Sequence, residues 1–143
     1  MLSNTSNFAI RALVYLELYS SPELKVGIKQ MITDLDIPEH FLSKILQLLV
    51  QNKLLGSSKG PNGGFYLTKP AIDITMLDVA EAIDGKENLG NCVIKSTTCE
   101  ATEPCSVHHK LAHIRSQVKT MLRAETIADL VSEFREGKER IRI

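Results

Sequence analysis

The sequence predicts a mainly α-helical fold with one small β-hairpin. Apolar residues recur at helical spacing along most of the chain, which is typical of amphipathic helices. One glycine-rich stretch, KGPNGG, separates two short strand-like pieces and indicates a single hairpin. With 143 residues, 43% of them hydrophobic and none of them tryptophan, the chain can bury one mostly aliphatic core.

The N-terminal half contains three predicted helices and the hairpin. The first helix covers residues 6–19, and a shorter one covers residues 27–35. A tight break at 36–38 follows, because a proline forces the residue before it out of the helical region. The third helix is predicted over 38–52. The hairpin strands are predicted at 54–58 and 65–69.

The third helix has two different faces. Its apolar side chains occupy one broad side of a helical wheel. The opposite stripe consists of His40, Ser43, Lys44, Gln47 and Gln51. This stripe contains no acid, so its groups can reach base edges and phosphates without repelling DNA. An ordinary solvated helix face is the alternative interpretation.

The order of these elements is that of a winged helix-turn-helix. In such a domain the second helix of the pair enters the major groove, and the hairpin reaches along the DNA backbone or minor groove. Lys59 lies at the hairpin tip, where a cation can contact a phosphate. A plain hairpin closing a small α+β core is the alternative, but helix order, stripe and tip together favour binding to double-stranded DNA. The candidate DNA contacts are His40, Ser43, Lys44, Gln47, Lys59, Gly60, Asn62 and Gly63.

A further helix is predicted over 76–84, and Gly85 ends it. After an aperiodic stretch, apolar residues spaced four and three apart indicate a heptad seam on a helix of roughly eighteen residues. The seam consists of Val107, Leu111, Ile114, Val118 and Met121. It could pack inside the domain, but a narrow seam near the end of a small chain is a common dimer interface, and we favour a homodimer. A last helix is predicted from the cap Thr126 to Arg135.

The predicted organisation therefore has three parts. Residues 1–84 form a winged helix-turn-helix DNA-binding domain. Residues 85–104 form a loop with most of the cysteine content, which we call the sensor loop. Residues 105–143 form the long dimerisation helix and a C-terminal helix. A structureless stretch of this length inside a compact domain is uncommon unless it is functional or disordered.

All three cysteines, Cys92, Cys99 and Cys105, fall in or beside the sensor loop, and His108 follows closely. An odd cysteine number without a visible export signal argues against a disulfide framework. Thiolates with an imidazole suit zinc and iron–sulfur clusters alike, so spacing alone leaves a cluster, zinc and metal-free thiols open. His109 points about 100° away from His108 on a helix, so both can hardly serve one site.

Other function classes find little support. The chain has no C-x-x-C motif, no phosphate-binding glycine loop and no carboxylate pair near its histidines, which argues against an enzyme with a small-molecule substrate. Seventeen basic and seventeen acidic residues give a formal net charge of zero. No segment approaches the roughly 18 to 20 apolar residues that span a membrane, so we expect a cytoplasmic protein.

Several stretches together resemble the Rrf-two-type bacterial transcription regulators, which include the IscR, NsrR and CymR proteins. The matching stretches are SNFAIRAL, IPEHFLSKILQLLVQNKLL, KGPNGGFYL, ITMLDVAEAIDG and the cysteine triplet. The resemblance implies a cytoplasmic, homodimeric, winged-helix regulator that binds DNA, whether as a repressor or as an activator. A protein-interaction adaptor that does not bind DNA is the competing interpretation.

The resemblance also bears on the cysteines. IscR- and NsrR-like members bind an iron–sulfur cluster through three such cysteines, and IscR-like members add a histidine three residues after the last one. This implies a [2Fe–2S] cluster held by Cys92, Cys99, Cys105 and His108, although the first cysteine gap is one residue longer than in IscR. Some nitric-oxide-sensing members instead use an acid in the first helix, where this chain has Asn7. IscR-like proteins carry glutamate in place of Ser43, so their DNA preference does not transfer.

Overall fold

The computed structural model describes residues 2–86 and 105–135, and it confirms a mainly helical fold with a hairpin. The helices are α1 (Asn4–Tyr19), α2 (Ile28–Leu35), α3 (Glu39–Gln51), α4 (Met76–Asp84), α5 (His108–Ala124) and α6 (Ile127–Arg135). The antiparallel strands are β1 (Leu55–Ser58) and β2 (Gly64–Leu67). A 3-10 turn over Ala71–Asp73, which the sequence did not predict, follows the hairpin. In this part of the chain, no helix combines the length and apolar character needed to cross a bilayer.

Local chemistry fixes the ends of the first three helices. Ser3 caps α1, since its hydroxyl accepts a hydrogen bond from the Ser6 backbone N–H at 3.0 Å. Asp36 ends α2 in the left-handed conformation, with φ 49°. Pro38 then stands immediately before α3 with φ −56°. The break predicted at residues 36–38 is therefore the turn between the two helices.

Helix α1 lies at the centre of the core. Its sequence is apolar almost all round, as expected of a buried helix, and it contacts α2, α3, α4, α6 and β2. Leu13 and Leu16 are fully buried, and so are Leu46 of α3 and Ile127 of α6. One hydrophobic core therefore joins the first helices to the C-terminal helix, and the domain boundaries given above stay a prediction.

A short antiparallel pairing brings the starts of α4 and α6 together. The Met76 N–H donates to the Glu125 carbonyl at 2.9 Å, and the Ile127 N–H donates to the Ile74 carbonyl at 2.9 Å. These bonds flank an isolated bridge between Thr75 and Thr126. We call this pairing the clasp. The clasp holds the two ends of the segment 76–125 together, so this segment begins and ends at the same place in the fold.

Each helix at the clasp begins with the same side-chain arrangement. Thr75 accepts from the Asp78 N–H at 3.1 Å, while Asp78 accepts from the Thr75 N–H at 2.9 Å. Thr126 and Asp129 repeat the pattern at 3.2 and 2.9 Å. Such capping boxes satisfy backbone donors that a helix start would otherwise leave unpaired. The hydrogen bonds from Thr126 also lower the pKa of Asp129 below its ordinary value.

Strand β2 of the hairpin also pairs with the segment that precedes α2. The Phe65 N–H donates to the Val26 carbonyl at 2.8 Å, and the Val26 N–H returns a bond to the Phe65 carbonyl at 3.2 Å. Tyr66 stands opposite Gly56 in the hairpin, and a Cβ at Gly56 would lie only 2.4 Å from its ring. The ring therefore occupies the space that the glycine leaves free. These contacts fix the direction in which the hairpin tip projects.

Candidate nucleic-acid interface and metal ligands

Helix α3 turns its acid-free stripe to solvent. His40, Lys44 and Gln47 are exposed, and Ser43 is half-buried. On the opposite side the α3 side chains that fill the core are Leu42, Ile45, Leu46 and Leu49. The predicted separation of the two faces is therefore present, and the polar groups line a continuous outer surface. Whether these side chains contact DNA stays a prediction.

Aromatic packing ties α3 to α1, and an arginine of α1 reaches the end of α2. The Phe8 and Phe41 rings meet edge to face with centroids 5.6 Å apart. The Arg11 guanidinium lies 5.5 Å from the Phe8 ring centroid and donates to the Leu35 carbonyl at 3.2 Å. Arg11 thus satisfies a carbonyl at the end of α2 while it touches the ring that supports α3.

A buried tyrosine makes the second link between α1 and α2. The Tyr15 hydroxyl donates to the Asp34 carboxylate, and Tyr15 is only 1% exposed. Burial of the phenol, followed by its hydrogen bond to Asp34, raises the pKa of Tyr15 to about 12. The hydroxyl therefore stays protonated, and stays a donor, throughout the physiological pH range.

These links were not recognised from the sequence. In the sequence, Arg11 interrupts the apolar run of the first helix. A charge inside a nearly all-apolar helix usually has a partner, and this signal could have identified it. The acceptor at the end of α2 could not have been named, because the contact depends on how the two helices cross.

The hairpin tip presents one cation on a tight turn. Lys59 and Asn62 are exposed, and the Gly63 N–H donates to the Gly60 carbonyl at 2.9 Å. Gly60 has φ +104°, a conformation that side chains rarely adopt. A Cβ at Gly63 would lie 2.3 Å from the Ser58 carbonyl oxygen. The two glycines predicted as DNA contacts therefore have a structural role at the turn as well.

Replacing Gly63 with alanine is expected to distort the hairpin tip. The new methyl group would press on backbone, which cannot give way cheaply, so we expect a loss of about 1–3 kcal/mol in the free energy of unfolding. Chemical denaturation followed by circular dichroism measures it. Gly27→Ser is the matched control, because a Cβ at Gly27 meets nothing within 4 Å. Equal free energies of unfolding for the two variants would contradict the structural role of Gly63 at the turn.

Cys105 and His108 are brought together at the start of α5. Cys105 is half-buried, and the His108 backbone N–H donates to its carbonyl at 3.0 Å. The His108 side chain is 8% exposed, whereas His109 is exposed, with its ring edge to face at 5.2 Å from the His108 ring. A thiol and an imidazole one turn apart are a suitable donor pair for zinc or an iron–sulfur cluster.

The other two predicted metal ligands, Cys92 and Cys99, lie outside the described residues. Within 2–86 and 105–135, no three histidine, cysteine or acidic side chains gather into a group that could hold a metal. The donor pair at the start of α5 therefore fits part of a metal site. The complete ligand set stays a prediction.

Three of the five residues of the predicted seam are exposed, and the other two, Leu111 and Val118, are half-buried. Val107, Ile114 and Met121 are 39%, 52% and 42% exposed. Helix α5 packs on α4, and the fully buried Leu122 is turned by roughly 60° to 100° from these three residues on the helical wheel. We call Val107, Ile114 and Met121 the α5 ridge. Packing inside the domain, the alternative considered for the seam, does not account for these residues.

The chain is similar to known proteins along nearly all of its length. The family model described as "Rrf2: Iron-dependent Transcriptional regulator" matches residues 2–133. A protein of Aquifex aeolicus, named as an HTH-type transcriptional regulator, is 33% identical over 134 residues and covers 92% of each chain. The HTH-type transcriptional regulator NsrR of Geobacillus kaustophilus is 29% identical over 133 residues, covering 92% of this chain and 90% of the relative.

Solved structures show the same architecture. CymR of Bacillus subtilis, described as its global cysteine regulator, superposes with a TM-score of 0.75 at 23% identity, covering 92% of this chain and 96% of that chain. IscR of T. potens superposes with a TM-score of 0.74 at 18% identity, covering 98% and 92%. At these identities the likeness is one of fold.

Proposed function

The chain belongs to the Rrf2 family of transcriptional regulators, and from this premise we propose that it is a homodimeric DNA-binding regulator whose affinity an iron–sulfur cluster tunes. The family and its named relatives are regulators of transcription and not enzymes. The observation that carries the DNA-binding part is the exposed, acid-free stripe on α3 beside a cationic hairpin tip.

The described contacts suggest how the DNA-binding surface works. His40, Ser43, Lys44 and Gln47 offer donors and acceptors for the major groove along one face of α3. Lys59 and Asn62, with the backbone at Gly60 and Gly63, are placed to meet the sugar–phosphate backbone. Because α1 holds α2 and α3 through Arg11 and Phe8, the stripe is presented on a preorganised surface.

Replacing Lys59 with alanine tests this assignment. One lost phosphate contact should weaken binding to all sequences alike and reduce the slope of log affinity against log salt by about one. Mobility shifts with DNA from upstream of the protein's own gene, measured at several salt concentrations, give both quantities. Lys69→Ala is the matched control, since Lys69 is an exposed lysine just beyond the other end of β2. A change of sequence preference with an unaltered salt slope would show that Lys59 has a different role.

The homodimer rests on the α5 ridge. Ile114 and Met121 of α5 and Val107 at its N-cap stay exposed at intervals of seven residues, and such a row is costly to leave in water. Regulators of this architecture commonly bind two half-sites as symmetric dimers. A second copy that covers the ridge would also place two α3 helices at a fixed separation.

The proposal of an iron–sulfur cluster rests on four candidate ligands. Cys92, Cys99, Cys105 and His108 would hold it, and when bound it supplies sensitivity to oxidants, iron supply or nitric oxide. Zinc, or no metal, on the same residues is the alternative. A [2Fe–2S] centre is our choice because histidine replaces cysteine mainly in two-iron clusters.

The residues flanking the sensor loop link it to the DNA-binding surface. The Asp84 carboxylate accepts hydrogen bonds from the Ser3 and Ser6 hydroxyls, each at 2.6 Å, just before the loop begins. Helix α1 thus starts where α4 ends, and Phe8 of α1 touches Phe41 of α3. A change in how the loop is held can therefore shift α1 and, through it, α3. A coupling of about 1.4 kcal/mol would already change DNA affinity tenfold.

A further inference from the structure

A half-open groove of about 290 Å³ lies between α1 and α6, and we call it the α1/α6 groove. Its apolar lining consists of Ile10, Val14, Met76, Leu130 and Phe134. Its polar lining consists of Asn7 and Arg11 of α1. None of these residues is a candidate metal ligand or DNA contact. We propose that the groove binds a small effector, a molecule with an apolar body and one carboxylate that changes the affinity for DNA.

The polar end of the groove complements a negative charge. Asn7 and Arg11 are four residues apart on α1, so their side chains are neighbours on one face of the helix. Both side chains can donate hydrogen bonds, and among the described residues that line the groove Arg11 alone is charged. No acid in this lining competes for the guanidinium. A ligand group that accepts hydrogen bonds and carries a negative charge therefore fits this end.

Arg11 retains donors for such a ligand. A guanidinium carries five N–H groups. In the described part of the chain its side chain donates one hydrogen bond, to the Leu35 carbonyl at 3.2 Å, and its Cζ lies 5.5 Å from the Phe8 ring centroid. These two contacts hold the guanidinium beside the groove. A ligand would therefore meet a cation that is already positioned, which lowers the entropic cost of binding.

One cation and one amide suit a carboxylate better than a phosphate. A carboxylate carries a single negative charge, and a guanidinium can bind it through two parallel hydrogen bonds. A phosphate monoester carries about 1.5 to 2 negative charges at neutral pH. Arg11 alone would leave part of that charge unpaired beside an apolar lining, where an unpaired charge is costly.

The apolar part of the groove sets the size of the ligand. An apolar cavity of about 150 Å³ can hold benzene, so the α1/α6 groove has room for roughly ten to twelve non-hydrogen atoms. Met76, Leu130 and Phe134 are half-buried and pack against the core, so part of their surface stays available to a ligand. A short alkyl chain or a single ring that ends in a carboxylate therefore matches both the size and the chemistry of the groove.

A ligand on Arg11 would act on the DNA-binding surface. The Leu35 carbonyl that Arg11 holds is at the end of α2, and the turn into α3 follows it. Phe8, which Arg11 touches, packs against Phe41 of α3. A carboxylate that draws the guanidinium towards the groove changes both contacts, and with them the support of α3. The effector role rests on the proposed DNA-binding function, whereas ligand binding itself does not.

Calorimetric titration of the complete chain with octanoate and with octan-1-ol tests the site. The two probes have the same alkyl chain length, and only octanoate carries a carboxylate. The wild-type protein should bind octanoate about tenfold more tightly or better, since hydrogen bonds to a charged group are the stronger ones. Arg11→Gln should remove this preference and leave octan-1-ol binding unchanged, because the new amide can still donate to the Leu35 carbonyl. Phe134→Ala should weaken both probes alike.

Lys29→Gln is the matched control for the loss of charge. Lys29 is an exposed lysine of α2 that does not line the groove, so its replacement should leave both affinities unchanged. Failure of both probes to bind the wild-type protein would overturn the proposal, and so would equal affinities for the two probes. If Phe134→Ala binds octanoate as the wild type does, the ligand lies elsewhere and the proposal again fails.

Mobility shifts with and without saturating octanoate test the effector role. We expect the DNA affinity of the wild-type protein to change by about fivefold or more, and that of Arg11→Gln to stay the same. An unchanged DNA affinity while octanoate is bound would overturn the effector role. A protein that binds octanoate as expected but binds no DNA would instead overturn the proposed DNA-binding function, so the two failures are distinguishable.

Discussion

Replacing Cys105 with serine is expected to abolish iron–sulfur binding. A serine hydroxyl is a poor substitute for a thiolate, and a four-ligand site that loses one thiolate is left open. After anaerobic reconstitution we expect the wild-type protein to show visible absorption with matching iron and acid-labile sulfide. The Cys105→Ser protein should show iron and sulfide near background, a loss of at least the roughly tenfold that removing even a hydrogen-bond partner of a metal ligand costs.

Neighbouring histidines provide the matched comparison. His108 is buried at the start of α5 beside Cys105, whereas His109 is exposed. His108→Ala should therefore destabilise the cluster, and His109→Ala should leave it intact. A wild-type protein that stays colourless, without iron or sulfide, would refute the cluster and leave DNA binding untouched. Stoichiometric zinc in that protein would favour the alternative metal.

Replacing Lys44 with glutamate is expected to weaken DNA binding about 10- to 100-fold. The change removes a cation from the exposed stripe of α3 and adds the stripe's first acid, which repels phosphate and base acceptors. Mobility shifts at fixed salt measure the loss. The fold should be unaffected, because Lys44 is exposed and the core side of α3 is unchanged.

Lys69→Glu gives the same change of charge outside the proposed contact surface. It should reduce affinity only slightly, through long-range repulsion that salt screens. If the two variants lose affinity equally, the effect is one of net charge, and α3 is not the element that enters the groove. Full retention of binding by Lys44→Glu would lead to the same conclusion.

The local elements could be predicted because their signals are local. Helix α3 begins and ends within one residue of its prediction, since Pro38 marks its start and the apolar residues keep the helical period. The hairpin followed from its glycine-rich turn. The 3-10 turn over Ala71–Asp73 was missed because three residues are too few to show a period. The clasp was missed as well, because Thr75 and Thr126 each signal a helix start but not that they pair.

The candidate site, too, could be predicted where it depends on a single element and not where it depends on contacts between elements. The exposed stripe on α3 could be predicted, since one helix determines which side chains share a face. The link from Arg11 to Leu35 depends on how separate helices pack, so it could not be predicted from the spacing of residues. The sequence predicted the turn that contains Gly63. It could not show whether the glycine is needed for the shape of the turn or for a contact with DNA.

The clasp has a consequence for how this region can change over evolution. Because residues 74–76 and 125–127 are paired, an insertion or deletion in the sensor loop need not move the start of α6 or disturb the core. Lengthening such a closed loop is inexpensive, since each doubling adds only about 0.6 kcal/mol of closure entropy. Folding therefore does not require a particular spacing of the cysteines. Related chains can adjust it to a different ligand set while keeping the same DNA-binding domain.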